Sequence, residues 1–189
     1  HTSLVDKVIQ QVLLSMTQLE AYSKSKVLED FALIAVGGYG RGELNPLSDI
    51  DLLFLLPEKP RPLTETFIQD ALSVIWGFGM EIGHSSRTIN DCIKLAQEDL
   101  TIKTSMIETR FLIGNQTIYE KFDNAIHKKV LQKHVKQFLN SKLKEKYTRY
   151  GQENGVVCHP EPDIKNGPGG LRDYHNALWA TAVRYGCHS

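Results

Sequence analysis

The sequence predicts an α+β fold: a small mixed sheet flanked by helices, followed by a C-terminal helical region. Three observations predict it. Short β-rich apolar runs at residues 31–36 and 50–56 are bounded by Gly and Pro. Apolar residues recur at helical spacing before and after those runs. From residue 117 to 149 the chain is Lys-rich and helical in pattern, and a last helical stretch covers 171–185.

Taken in order, residues 3–29 read as one helix with an apolar face of Leu4, Val8 and Val12 together with Val5, Ile9, Leu13 and Met16. Ser3, with Asp6 three residues later, resembles a capping box. The first strand, 31–36, ends at Gly37 and Gly38; a turn runs through Pro46 to the second strand, 50–56. A helix over 64–76 breaks at Gly77 and Gly79. Residues 80–87 alternate, with Met80, Ile82 and His84 on one face and Glu81, Gly83, Ser85 and Arg87 on the other. This places His84 in the core. Thr88 and Asp91 cap a helix to about residue 97, and a further helix over 101–113 stops at Gly114. The division is an N-terminal helix (1–30), a strand–helix–strand core (31–115) and a helical region (116–189). Both ends read as cut, which suggests a piece of a longer polypeptide.

Composition narrows the function classes. Lys+Arg and Asp+Glu are both 22, so net charge favours neither nucleic acid nor an anionic membrane. The apolar runs, 31–36 and 52–56 among them, are far too short to span a bilayer, and no secretory segment opens the chain. Three scattered cysteines, Cys92, Cys158 and Cys187, fit reduced thiols in the cytoplasm. Cys158-His159 and Cys187-His188 have no usual zinc spacing. Between Lys121 and Arg149, nine positive side chains stand against two negative ones. Few aromatics interleave, so this reads as a solvated helix face, and nucleic acid is not the expected partner.

The informative stretch is VGGYGRGELNPLSDIDLLFLL, residues 36–56. In a strand, Asp49 and Asp51 point to one face, their Cα atoms about 6.6 Å apart. Two like charges that close hold their protons unless a cation sits between them. Hard oxygen ligands with no His or Cys nearby suit Mg²⁺, which takes one or two carboxylates plus substrate phosphates. Gly37 and Gly38 let the backbone approach a ligand, Arg41 can grip phosphate oxygens, and Ser48 can donate to a phosphate or orient an aspartate. No P-loop or dinucleotide fingerprint is present.

These residues resemble the signature of the polymerase-β-type nucleotidyltransferase superfamily. More narrowly, they resemble the N-terminal domain of the bacterial PII-protein uridylyltransferase/uridylyl-removing enzymes. GMEIGHSSRT (79–88) and EPDIKNGPGGLRD (161–173) are similar to that family in order and spacing. The resemblance implies a nucleotidyltransferase core that moves UMP from UTP to a tyrosine of the PII signal protein and releases pyrophosphate. Gly37, Gly38, Asp49 and Asp51 match its nucleotide- and Mg²⁺-binding motif. The superfamily's third carboxylate has no obvious counterpart: Glu81 serves, an acid of the 161–173 loop serves, or the site works with two. Arg87 shares the face of Glu81 and is taken with the nucleotide-binding set. In the second motif, Lys165 and Arg172 beside a helix N-terminus would neutralise triphosphate charge. Alternatives are another nucleotide or acceptor, as in adenylylation, or a nucleotide sensor without turnover. The family's removal activity needs a His-Asp dipeptide, which does not occur in this chain.

Overall fold

The computed structural model describes residues 1–46, 48–152 and 163–186. Four strands form one mixed sheet in the order β3-β2-β1-β4. β1 (Ala32–Val36) runs antiparallel to β2 (Ile50–Leu56), and β2 runs parallel to β3 (Ile82–Thr88) through the crossover helix α3 (Pro62–Trp76).

The fourth strand departs from the expectation. The segment expected as a helix over 101–113 instead divides into α5 (Leu100–Ser105) and β4 (Thr109–Gly114), which pairs antiparallel with β1. The Phe-Leu-Ile run favours a pleated surface, and β1 offers it an open edge. The N-terminal helix also stops early. α1 spans Thr2–Met16, and the last stretch of the expected helix holds only a 3₁₀ turn at Val27–Glu29. Its start has no side-chain cap, because Asp6 turns instead to Arg110 and the Tyr39 hydroxyl. The capping box expected at Thr88 is present and opens α4 (Ile89–Glu98).

Both sheet faces are covered, so the central strands are apolar on both sides. Leu33, Ala35, Leu52 and Phe54 pack with α1 and α3, along with Ile9, Leu13, Phe67 and Leu72. Ala32, Ile34, Leu53 and Leu55 pack on the other side with residues of α4 and of α6 (Gln116–Ile126), and with Trp179, Ala182 and Val183. Those last three belong to α8 (Leu171–Tyr185). The Lys-rich stretch is not one helix. α6 passes into a π-helical turn at His127–Leu131, and α7 (Val135–Gln152) begins after His134, whose φ is 56°.

His84 is not a core residue. β3 is an edge strand, and His84 lies exposed with its ring edge-on to Trp76, centroids 5.4 Å apart. Among the described residues no helix is long and apolar enough to cross a membrane. The Cys158-His159 and Cys187-His188 pairs lie outside the described residues.

Candidate active site

The end of β1, the start of β2, α5, α7 and α8 surround a cavity of about 750 Å³. One side is built from the Gly-rich segment. Gly37 opens the short helix α2 (Gly37–Gly40) at φ +62°, a conformation that suits glycine, and lies against the Asp51 carboxylate. Asp49 and Asp51 both open into the cavity, with Gly38, Arg41 and Ser48 beside them. Asp51 stands in register with Gly83 of β3; a Cβ there would come within 2.5 Å of its Oδ1. Asp51 thus lies between two glycines that leave its carboxylate room. Burial first, and then the Asp49 charge, raise the Asp51 pKa. A cation between the two would relieve both effects.

The opposite side is basic. Lys165 and Arg172 both line the cavity, as do Lys142 and Arg149 of α7. These cations are not equivalent. Lys142 pairs with Glu145 at 3.0 Å, and Arg149 pairs with Asp173 at 2.6 Å. Arg41 is held by Glu43 at 2.8 Å and by Glu108 at 2.6 Å. Lys165 and Arg172 form no ion pair among the described residues; the Arg172 guanidinium lies over the Trp179 ring at 5.9 Å. Among the described residues the cavity therefore sets two carboxylates without an ion-pair partner, Asp49 and Asp51, with two such cations.

A family model described as the nucleotidyltransferase domain matches residues 16–155. The chain belongs to the nucleotidyltransferase domain family. It is an enzyme of the nucleotidyltransferase class. The model described as GlnD PII-uridylyltransferase matches residues 137–189. The bifunctional uridylyltransferase/uridylyl-removing enzyme of Rhodospirillum rubrum is 39% identical over 98% of this chain and 20% of its own length. That of Caulobacter vibrioides is 44% identical over 80% of this chain and 16% of its own. The chain thus spans a fifth or less of these relatives. A toxin–antitoxin structure with AMP-PNP aligns at 14% identity over 74% of this chain with a TM-score of 0.31, too low to bear on function.

In this nucleotidyltransferase the fold gathers Gly37, Gly38, Arg41, Ser48, Asp49, Asp51, Lys165 and Arg172 around one cavity. It does not bring Glu81 or Arg87 there. Glu81 precedes β3, where its carbonyl accepts the Ile50 N–H at 2.9 Å, and its side chain is not part of the lining. Arg87 pairs in register with Leu55, four residues along β3 from Gly83 and roughly 13 Å away at strand rise. The described acids of the second motif are engaged locally. Asp163 accepts the N–H groups of Lys165 and Asn166, and Asp173 ties Arg149, the Tyr150 hydroxyl and the Gly169 N–H. Glu161 lies outside the described residues.

Three further acids line the cavity, Glu43, Glu145 and Glu108, and sequence reasoning missed Glu108. It is 3% exposed, binds Arg41 and accepts from the Trp179 indole. Reading 101–113 as a helix hid it; the signal was the β-rich run immediately after it. His175 was missed too. It faces Glu43 at 3.3 Å, and burial, then the Arg41 charge, hold its pKa below the usual value. The N-terminus of α8 is not the open anion site expected of it, because the N–H groups of Leu171, Arg172 and Asp173 bond to carbonyls of its own loop. The charge at that motif acts through side chains.

The donor set fits Mg²⁺. Among the described residues no group of three His, Cys, Asp or Glu could hold a metal. Two carboxylates with room for substrate phosphates are the ligand supply Mg²⁺ uses.

Proposed function

We propose that this cavity binds UTP with Mg²⁺ and transfers UMP to a tyrosine hydroxyl of the PII signal protein. The observation that carries the reading is the Asp49/Asp51 pair placed in one cavity with Lys165 and Arg172, all four without an ion-pair partner among the described residues. In the reaction the tyrosine oxygen forms a bond to the α-phosphorus, and the bond from that phosphorus to the β-phosphate oxygen breaks. The phenolic proton is lost, and pyrophosphate departs. Asp49 and Asp51 would hold Mg²⁺, which when bound supplies neutralisation of the phosphate oxygens and orients the triphosphate.

The chain's own residues do the positioning. Lys165 and Arg172 take up the negative charge that builds on the departing pyrophosphate. Gly37 and Gly38 let the backbone stand close to the phosphates. Arg41, pinned by Glu43 and Glu108, supports the turn and lines the cavity. Little covalent chemistry is asked of the protein. The uridylyl group follows the names of the relatives and the PII acceptor that of the matching family model; UTP as its donor is the proposal's own step, and it assigns no cavity residue to the base.

A thermal-shift panel of UTP, ATP, CTP and GTP, with and without Mg²⁺, tests this. A ligand at one hundred times its Kd stabilises by about 2.7 kcal/mol. The expected outcome is a Mg²⁺-dependent shift, largest with UTP and lost in Asp49→Asn/Asp51→Asn. A shift without Mg²⁺-dependent pyrophosphate release would favour a nucleotide sensor. No shift with any nucleotide overturns the assignment of the site.

A further inference from the structure

A second cavity, of about 380 Å³, lies on the far side of α5 from the active-site cavity, and the two share no lining residue. α5 divides them: Thr101, Thr104 and Ser105 line the first, while Leu100 and Lys103 line the second. Its other walls come from the end of α4, the π-helical turn and the start of α7.

Lys103 is the unusual residue here. It is a buried lysine, 9% exposed, and no carboxylate pairs with it among the described residues. A lysine ammonium has three donors. Among the described residues this one has a single acceptor, the Lys133 carbonyl, at a long 3.4 Å, and otherwise stands over the Phe138 ring at 5.3 Å. Burying a charge without a partner is costly. Burial pushes the Lys103 pKa down. Lys129, Lys133 and His134 add positive or protonatable groups to the lining. Against them stand Glu98 and Asp99, and Asp99 is turned to the Ile102 N–H at 2.8 Å as the cap of α5. Two backbone irregularities meet at the same wall: the π-helical turn carrying Lys129 and Val130, and His134 in the left-handed region. Such irregularities concentrate at functional sites.

We propose that this cavity is a binding site for a small oxyanion, a carboxylate or phosphate group, held by the Lys103 ammonium. The volume lies within the range of small-molecule pockets. An oxyanion would supply the acceptors that the ammonium lacks and replace water lost on burial. This site is independent of the nucleotide reading, since its lining contains none of the residues assigned to nucleotide or metal.

The test titrates inorganic phosphate, and separately succinate, at ionic strength held constant with sodium chloride. The melting temperature should rise and saturate in the wild type. The response should be absent in Lys103→Met and retained in Arg172→Ala, which separates this cavity from the active site. Amide NMR resonances of His134 and Ser141 in the wild type should move with the same saturation, a readout that needs no variant. A response to phosphate alone or to succinate alone supports the site and identifies the headgroup it prefers. No saturable response to either anion, an unchanged response in Lys103→Met, or resonance changes confined to the Asp49–Arg172 cavity would overturn it.

Discussion

Gly83→Ala isolates the geometry of Asp51 without removing its charge. The new Cβ would stand 2.5 Å from Asp51 Oδ1, where ordinary contact begins at 3.4 Å, so the carboxylate must retreat by close to 1 Å. The obstacle is the end of a side chain, and no backbone atom is in the way. An off-rotamer side chain costs about 0.5–1.5 kcal/mol, while replacing a strand glycine by alanine returns about 0.5–1 kcal/mol. Stability should therefore change by no more than about 1 kcal/mol, or roughly 4 °C in Tm. Function should respond very differently, because a displacement of about 1 Å in a positioned group costs on the order of 10²-fold in rate. Mg²⁺-dependent pyrophosphate release, with urea unfolding on the same preparation, reads both quantities. Wild-type turnover in a normally folded Gly83→Ala would refute the role given to the Asp51 carboxylate. A loss of several kcal/mol would refute the claim that only the carboxylate yields.

Three further outcomes follow from the structure. Asp51 has a folded-state pKa raised by burial and by Asp49, so its favourable contribution is full below the unfolded pKa and lost as pH rises through the folded one. Asp51→Asn should then be more stable than wild type near pH 7 without metal, the difference closing as the pH falls below the usual carboxylate range, as urea titrations at both ends would show. Thr88→Ala removes the hydroxyl that accepts the Asp91 N–H at 3.1 Å, and should cost about 1 kcal/mol by the same titration while leaving nucleotide affinity unchanged. Phe54→Ala opens the centre of the α1/α3 side of the core, where Phe54 is fully buried against Phe31, and should cost about 3–5 kcal/mol in calorimetric or chemical unfolding.

The parts of the fold legible in the sequence were those with strong local signals. β2 has an apolar run with a stop at Pro57, and α4 has its capping box, so both were placed to within a residue or two. β4 was not legible, because Thr109–Gly114 gains its partner only when β1 is already folded, 73 residues away in the pairing of Val36 with Thr109. The site divides the same way. Gly37, Asp49 and Asp51 are close in sequence and announce themselves together. Glu108 and His175 acquire meaning only through tertiary neighbours, Arg41 and Trp179 for one and Glu43 for the other. The basic helix was half legible: Lys144 is solvated as expected, but Lys142 is 8% exposed and sits over the Trp179 ring at 4.7 Å.

The double grip on Arg41 changes what an alanine scan of this cavity would mean. Glu108 is almost fully buried, and Arg41 is its only cationic neighbour within ion-pair distance among the described residues. Truncating Arg41 would strand a carboxylate inside the protein, a defect that ordinarily costs about 3–5 kcal/mol. A weakened Arg41→Ala enzyme would then report damage to the scaffold, whereas Lys165→Ala or Arg172→Ala would report the loss of a ligand contact. Two equally inactive variants would have failed for unrelated reasons, and only a stability measurement beside the kinetic one tells them apart.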